Sequence, residues 1–353
     1  MDPRYLADLT PEELQKLVEK IGHTPLLPLS LKVAGKAHKV YLKLEGANPS
    51  GSVKDRTAYS LIQDLERKNL ISKQTIIVES SSGNLGVALS LICKAKQYRL
   101  RVLVDPKTTR ENIALMEALD AEIEMVDKPD STGGYLLSRL ARIQELCRYS
   151  SNYFWTNQYT NAANPQIHFL QTGKEIYQQM NSQPCTIFVA VSTGGTLVGV
   201  ARYFRLHNPQ TRIVAVDVHG SVIFGTAPGP RKLTGIGASR PSDFITPADY
   251  DDYSLVSDEE AFAFCRALYA ATGIKVGGSS GAVLSACARY LETHSSSSNV
   301  VCVCADTGEK YTSSIFNDTW LDQQHLYLTQ KHLNAVQDIS EAHSRLVSGQ
   351  PIS

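Results

Sequence analysis

Two stretches, Thr75-Ile-Ile-Val-Glu-Ser-Ser-Ser-Gly-Asn-Leu-Gly86 and Thr186-Ile-Phe-Val-Ala-Val-Ser-Thr-Gly-Gly-Thr196, share one construction. A short apolar run rich in β-branched residues breaks into small hydroxyl residues and glycine, and a helix-period segment follows. Runs of this kind read as strands of a parallel sheet covered on both faces. The pattern recurs outward in both directions. Strands are expected at 40–44, 75–79, 100–104, 122–126, 186–191, 212–217 and 300–305, and helices at 58–68, 85–96, 112–119, 135–147, 196–206 and 259–271. The elements fall into two groups, before and after about Asn161. This predicts an α/β protein of two domains with mostly parallel twisted sheets and a cleft between them.

The 353 residues suffice for two cores. Lys+Arg and Asp+Glu balance at 35 each, and no basic stripe stands out, which argues against nucleic acid or an anionic membrane as main partner. No window offers the roughly 20 consecutive apolar residues of a membrane span, and segment 1–20 is acidic and helical with no apolar signal core; a cytoplasmic protein fits. The seven cysteines are odd in number and scattered through apolar segments, against a disulfide framework. Cys302 and Cys304 share one strand face and are expected to fill core. With no Cys-x-x-Cys and no His pair at ligand spacing, no structural metal is expected. Segment 295–298 is a four-serine linker. Beyond Trp320 the chain is polar, with Leu333, Val336 and Ile339 at loose helical spacing, a surface helix or a partly disordered tail.

The two hydroxyl- and glycine-rich junctions open helices, where unpaired N–H groups and the dipole attract anions. Glycine lets backbone approach the anion, and Ser or Thr adds donors. Ordinary N-caps use the same residue types, so either loop alone leaves both readings open. Neither matches the Walker A lysine pattern nor Gly-x-Gly-x-x-Gly. A third stretch, Asn48-Pro-Ser-Gly-Ser-Val-Lys-Asp-Arg56, puts Lys54 in the first turn of a helix. The dipole disfavours an ammonium there and lowers its pKa, which favours amine attack on a carbonyl. By itself Lys54 also reads as a solvated surface lysine beside Asp55.

Together these pieces resemble the fold-type II pyridoxal-phosphate enzymes, the family of cysteine synthase, cystathionine β-synthase and threonine synthase, with a tryptophan synthase β-like fold. The resemblance runs in order from Ile21-Gly-His-Thr-Pro25 to Asp306-Thr-Gly-Glu-Lys310. It implies pyridoxal 5′-phosphate in the cleft, bound as a Schiff base by Lys54. Asn84 would meet the ring hydroxyl, and Ser192, Thr193, Gly194, Gly195 and Thr196 would cradle the phosphate. Ser279, in Gly277-Gly-Ser-Ser-Gly281, would meet the pyridine nitrogen; a neutral hydroxyl there makes a weaker electron sink, suited to β-elimination. Taken bare, that run reads as a flexible turn before a helix. Ser81, Ser82, Gly83, Asn84 and Leu85 would bind the substrate carboxylate with help from Gln158, in Thr156-Asn-Gln-Tyr159. Gly235 would face the substrate amine. Unaided, Gln158 reads as a loop side chain in water and Gly235 as a turn glycine. The implied division is a smaller domain, 46–161, with Lys54 and the carboxylate loop; a larger one, 1–45 with 162–326, with the phosphate loop; and a polar tail, 327–353.

Leu85 stands where cysteine synthases usually have threonine, which implies a changed pocket. Asp130-Ser-Thr-Gly-Gly-Tyr-Leu-Leu-Ser-Arg139, Gly220-Ser-Val-Ile-Phe-Gly225, Gly235-Ile-Gly-Ala-Ser-Arg240 and Asp318-Thr-Trp-Leu321 resemble the N-(2-amino-2-carboxyethyl)-L-glutamate synthase branch. That branch serves staphyloferrin B and other 2,3-diaminopropionate-containing products. The resemblance implies that O-phospho-L-serine loses phosphate after Lys54 removes the α-proton, and that the amine of L-glutamate adds to Cβ. A partner oxidoreductase would cleave the product to 2,3-diaminopropionate, and the family implies a homodimer. A phosphate and a two-carboxylate nucleophile call for arginine, whose fork pairs with both. Arg139, Arg240 and Arg231 are candidates, although Arg139 equally well borders the Leu136, Leu140, Ile143 stripe in water. One rival is a cysteine synthase using O-phosphoserine or O-acetylserine with sulfide, since Thr193-Gly-Gly-Thr196 stays close to that type. Another is a non-catalytic sensor, which the intact motif set disfavours.

Overall fold

The computed structural model describes residues 3–131, 133–181, 184–294, 299–328 and 336–337. Two short helices open it, α1 (Pro3–Ala7) and α2 (Pro11–Val18). Thr10 and Glu13 close a capping box: the Glu13 amide donates to the Thr10 hydroxyl, and the Thr10 amide donates back to the Glu13 carboxylate at 2.9 Å. A hairpin follows, β1 (Leu26–Val33) and β2 (Lys36–Leu44), turning on Ala34 and Gly35 at φ 48° and 81°.

The smaller domain runs through α3 (Lys54–Arg67), β3 (Ile76–Ser80), α4 (Asn84–Ala95), β4 (Arg99–Val104), α5 (Arg110–Ala118), β5 (Glu122–Met125), α6 (Leu136–Tyr149) and β6 (Tyr153–Trp155). Its sheet is parallel throughout, in the order β5-β4-β3-β6. A helical stretch then carries α7 (Ala163–Ile167), a π-helical segment His168–Gly173 and α8 (Lys174–Gln179). The larger domain continues with β7 (Thr186–Ala190), α9 (Gly195–His207), β8 (Arg212–Val218), β9 (Asp252–Val256), α10 (Asp258–Thr272), α11 (Gly278–Thr293), β10 (Val300–Cys304), α12 (Asp318–Gln323) and β11 (Val336–Gln337). Its sheet order is β11-β1-β2-β10-β7-β8-β9, parallel from β2 to β9, with β1 antiparallel to both neighbours. Two α/β domains with mostly parallel sheets are therefore present, and the strands and helices expected between residues 40 and 305 form, with their ends shifted by a few residues.

Three expectations change. Residues 1–45 do not all belong to the larger domain: Leu6, Leu14, Val18 and Ile21 bury themselves in the same apolar core as α4 and β4 of the smaller one. A fully buried leucine is worth about 1.5–3 kcal/mol, enough to dock a one- or two-turn helix that is marginal alone. The helical spacing around Val336 gives a strand instead. Val336 and Gln337 pair with Leu31 and Ser30, because the outer edge of β1 offers unpaired backbone groups; Leu333 and Ile339 lie outside the described residues. The run 277–281 is the N-cap and first turn of α11 rather than a flexible turn. Cys302 and Cys304 are both buried in β10, as core filling required. Among the described residues no helix is long and apolar enough to cross a membrane.

Candidate active site

Four helices begin at the residues singled out in the sequence: α3 at Lys54, α4 at Asn84, α9 at Gly195 and α11 at Gly278. Their N–H-bearing ends lie beyond the carboxyl ends of parallel strands, the usual place for ligands in open α/β sheets. Lys54 is held against the end of β10. The Val53 amide donates to Ala305 O at 2.8 Å, Ser52 and Asp306 form an isolated bridge, and the Lys54 amide donates to Ser52 Oγ at 3.2 Å. Burial pulls the Lys54 ammonium below its ordinary pKa, opposed by the Asp306 and Glu45 carboxylates. The neutral amine, nucleophile and base, is thereby favoured.

Ser192, Thr193, Gly194, Gly195 and Thr196 line one cavity with Lys54 and Gly235. Gly194 caps α9 at φ 94°, and a Cβ on it would lie 2.6 Å from Ser242 Oγ, so glycine is required twice over. Ser242 Oγ donates to Thr193 O at 2.6 Å, Asn164 Nδ2 to Thr193 Oγ1 at 3.3 Å, and Ser192 Oγ to Gly237 O at 3.3 Å. Behind the loop, His168 Nε2 lies 3.1 Å from Thr57 Oγ1 and 3.4 Å from Thr196 Oγ1, and Nδ1 lies 3.0 Å from Thr172 Oγ1. Burial first, then Lys54 and Arg56, push His168 well below 6.5 and keep it neutral.

Across the cleft the Gly86 amide donates to Ser81 Oγ at 2.9 Å, shaping the turn through Ser82 and Gly83. Asn84 sits between charges: its Nδ2 donates to Asp306 Oδ2 and its Oδ1 accepts from Lys310 Nζ, both at 2.8 Å. Leu85 is 2% exposed and packs into the smaller domain's core, so it offers the loop a backbone amide and not a side chain. Gln158 is buried rather than solvated, donating through Nε2 to Ser80 O at 3.0 Å. Ser279 is buried in the first turn of α11, where a Cβ on its capping Gly277 would fall 2.1 Å from Asp306 Oδ1.

Arg139 is 7% exposed, so the solvated border position does not apply. Its Nη1 lies 3.5 Å from Asp105 Oδ2, and among the described residues Nε and Nη1 have no hydrogen-bond partner. Arg240 pairs with Asp243 and lies 5.7 Å over the Tyr159 ring. Arg139 and Arg240 both act on the buried Tyr159 hydroxyl, whose pKa burial and Glu79 push up to about 12. Arg231 donates to Gly220 O at 3.1 Å.

Sequence reading missed Glu79, Tyr159, His168 and Lys310. Glu79 accepts from the Ser80 amide (2.7 Å), Trp155 Nε1 (3.1 Å), Thr156 Oγ1 (2.5 Å) and the Gln158 amide (3.0 Å), pinning the Gln158 turn. A carboxylate closing a doubly covered strand was the available signal, since such a charge must find partners. His168 and Lys310 carry no local signal.

The model of the family described as "Pyridoxal-phosphate dependent enzyme" matches residues 17–306. The chain is 41% identical over 307 residues to the N-(2-amino-2-carboxyethyl)-L-glutamate synthase of Ralstonia nicotianae, covering 87% of this chain and 91% of that one. A hydrogen sulfide-producing enzyme from Fusobacterium nucleatum is 31% identical, with a TM-score of 0.78 over 84% of this chain and 98% of that one. The O-acetylserine dependent cystathionine beta-synthase from Helicobacter pylori is 30% identical, with a TM-score of 0.77 over 84% and 97%. The chain belongs to the pyridoxal-phosphate-dependent enzymes of fold type II, and pyridoxal phosphate is its cofactor.

Proposed function

We propose that this enzyme performs a β-replacement on O-phospho-L-serine, releasing phosphate and joining the amine of L-glutamate to Cβ to give N-(2-amino-2-carboxyethyl)-L-glutamate. The likeness to the Ralstonia nicotianae synthase supports the product. The observation that carries the reading is Arg139, a buried guanidinium with two nitrogens that find no hydrogen-bond partner among the described residues. Such a group is costly unless an anion completes it. Acetylserine and sulfide bring no second strong anion; phosphoserine and glutamate both do.

The donor set fits the cofactor. Lys54 offers an amine to its aldehyde, and the 192–196 loop offers its phosphate the helix N-terminus of α9 with a glycine backbone and three hydroxyls. Asn84 and Ser279 offer neutral polar groups to the ring's oxygen and nitrogen. Bound pyridoxal phosphate supplies the electron sink for the pair left when a substrate Cα–H bond breaks. Lys54 takes that proton, and the Cβ–O bond breaks with phosphate leaving. The glutamate nitrogen then bonds Cβ, and Lys54 returns a proton to Cα. Ser81, Ser82, Gly83 and the Leu85 amide hold the substrate carboxylate at the N-terminus of α4, with Gln158 buttressing the loop through Ser80. Gly235 leaves open space beside the cavity for the amine side. Arg139, with Arg240 beyond Tyr159, binds the remaining anion.

By the same reading the enzyme is a cytoplasmic homodimer, and an oxidoreductase consumes its product. Mass spectrometry of products from phosphoserine with sulfide and a pool of amino acids tests the reaction. The glutamate adduct is expected to dominate. Cysteine formed while glutamate remains untouched would instead support the sulfide reaction, towards which the Fusobacterium nucleatum likeness leans.

A further inference from the structure

Just past β10, side chains of the 306–311 segment converge on Asn84. Lys310 Nζ donates to Asn84 Oδ1, and Asn84 Nδ2 donates to Asp306 Oδ2, each at 2.8 Å. The Tyr311 hydroxyl donates to the same Asp306 oxygen at 2.6 Å. Lys310 is 7% exposed and Asp306 3%. Among the described residues no carboxylate lies within 4 Å of the Lys310 ammonium, so its bond to Asn84 is the direct contact this buried charge makes. A buried ammonium is unfavourable without compensation. Here it is set against one neutral carboxamide; burial lowers its pKa, opposed from a distance by the Asp306 and Asp55 carboxylates.

An ammonium only donates, and an ionised carboxylate only accepts. With Lys310 as the ammonium and Asp306 as the carboxylate, the two ends of the Asn84 carboxamide are fixed, oxygen to Lys310 and nitrogen to Asp306. One N–H of Nδ2 remains. A cation on Oδ1 draws electron density through the amide and makes that N–H a stronger donor.

We infer that Lys310 and Asp306 are positioning residues for Asn84. They fix its carboxamide so that the remaining N–H is presented to, and polarised for, the ionised ring oxygen of pyridoxal phosphate. The inference rests on the reading that Asn84 meets that oxygen. Its consequence is a cofactor biased towards the tautomer with an ionised ring hydroxyl, set by a lysine that touches neither cofactor nor substrate.

The test is the absorption spectrum of cofactor-saturated protein at fixed pH, where the ionised-hydroxyl tautomer gives the long-wavelength band and the neutral one a shorter band. Lys310→Met is expected to lower the long-to-short band ratio by roughly threefold to tenfold, the scale of one hydrogen bond's net contribution. Lys310→Arg, which keeps a charged donor, is expected to restore most of it, and Lys310→Gln to fall between. Asn84→Ala should lower the ratio by itself, and adding Lys310→Met should then change nothing further. An unchanged ratio in Lys310→Met would overturn the inference, as would an equal drop in the Asn84→Ala background. An unchanged spectrum in Asn84→Ala alone would instead remove the reading of Asn84 beneath it. Should Lys310→Met not fold or load cofactor, Lys310→Gln decides: a wild-type ratio overturns the polarisation.

Discussion

Arg56→Met is the perturbation with the most definite expected cost. Arg56, third residue of α3, donates to Glu45 through Nε at 2.7 Å and Nη2 at 2.8 Å, and to Glu175 through Nη1 at 2.6 Å and Nη2 at 2.8 Å. Thr24 Oγ1 at 3.1 Å and Gln171 Oε1 at 3.2 Å complete its fork, and Lys43 Nζ lies 2.7 Å from Glu175. Methionine keeps the aliphatic stem and leaves Glu45 buried without its guanidinium. Breaking one side of a buried pair costs about 3–5 kcal/mol. Glu175 gives a second route to the magnitude. Arg56 and Lys43 hold its carboxyl at about 2 against an ordinary 4.5, worth ~3 kcal/mol at 1.36 kcal/mol per pH unit. At roughly 2–4 °C per kcal/mol, Tm should fall by about 10 °C. The sign with pH follows from the lowered pKa. The stabilisation from Glu175 is complete above 4.5 and is lost as pH falls through about 2. Thermal melts by circular dichroism, on cofactor-saturated wild type and variant from pH 7 to 2, should therefore show a gap widest above 4.5 and narrowing towards 2. A gap below about 1 kcal/mol at pH 7, or one constant across the acid range, would refute the reasoning.

Three other substitutions give distinct readouts. Lys54→Ala should abolish borohydride-fixed cofactor and lower phosphate release from phosphoserine by at least ~10²-fold; release within tenfold of wild type would remove Lys54 from the chemistry. Arg139→Met should lower Tm by less than Arg56→Met, because it removes a poorly bonded buried charge but also the 3.5 Å partner of the buried Asp105, while kcat/KM for phosphoserine or glutamate falls by roughly 10–100-fold; steady-state kinetics with each substrate varied would detect it, and a Tm loss as large as that of Arg56→Met with intact kinetics would make Arg139 structural. Leu85→Thr, which restores the cysteine-synthase residue, should lower stability in urea melts by about 2 kcal/mol, through lost apolar burial and a buried hydroxyl, without making sulfide the preferred nucleophile.

Legibility in the sequence followed locality. The strands of the parallel sheets were readable because burial on both faces demands unbroken apolar runs, as in Ile76–Ser80 and Val300–Cys304. β1 was not, because Pro28, which has no N–H for a ladder, interrupts its alternation. β9, Asp252–Val256, pairs only with β8 and is half polar, which hid it. The helical character of segment 1–20 was visible, but no local rule says which of two cores receives it. In the site, Lys54, Asn84 and the 192–196 loop each open a helix, but that local pattern also fits a surface lysine and ordinary N-caps, and it was the family resemblance that supplied their roles. Lys310 reaches Asn84 across 226 residues, and His168 reaches Thr57 across 111, separations at which pattern reading has no purchase.

The two buried arginines show how bond accounting separates structure from function. Arg56 makes its bonds to Glu45, Glu175, Thr24 and Gln171, a fork fully used within the protein. Arg139 is nearly as buried, yet among the described residues it has one carboxylate contact at 3.5 Å, and its Nε and Nη1 bond nothing. A guanidinium taken from water must be repaid in hydrogen bonds, so an incomplete fork marks a place where a ligand supplies the missing acceptors. Glu79 follows the structural rule, saturated by four donors. Asp306, whose Oδ1 is unpartnered at the start of α11, follows the functional one. The unsatisfied atoms of Arg139, in the smaller domain, are free donors for an anion, and that of Asp306, in the larger, is an acceptor whose carboxylate acts on Lys54. That division of charge is what an amine-transferring reaction on an anionic amino acid requires.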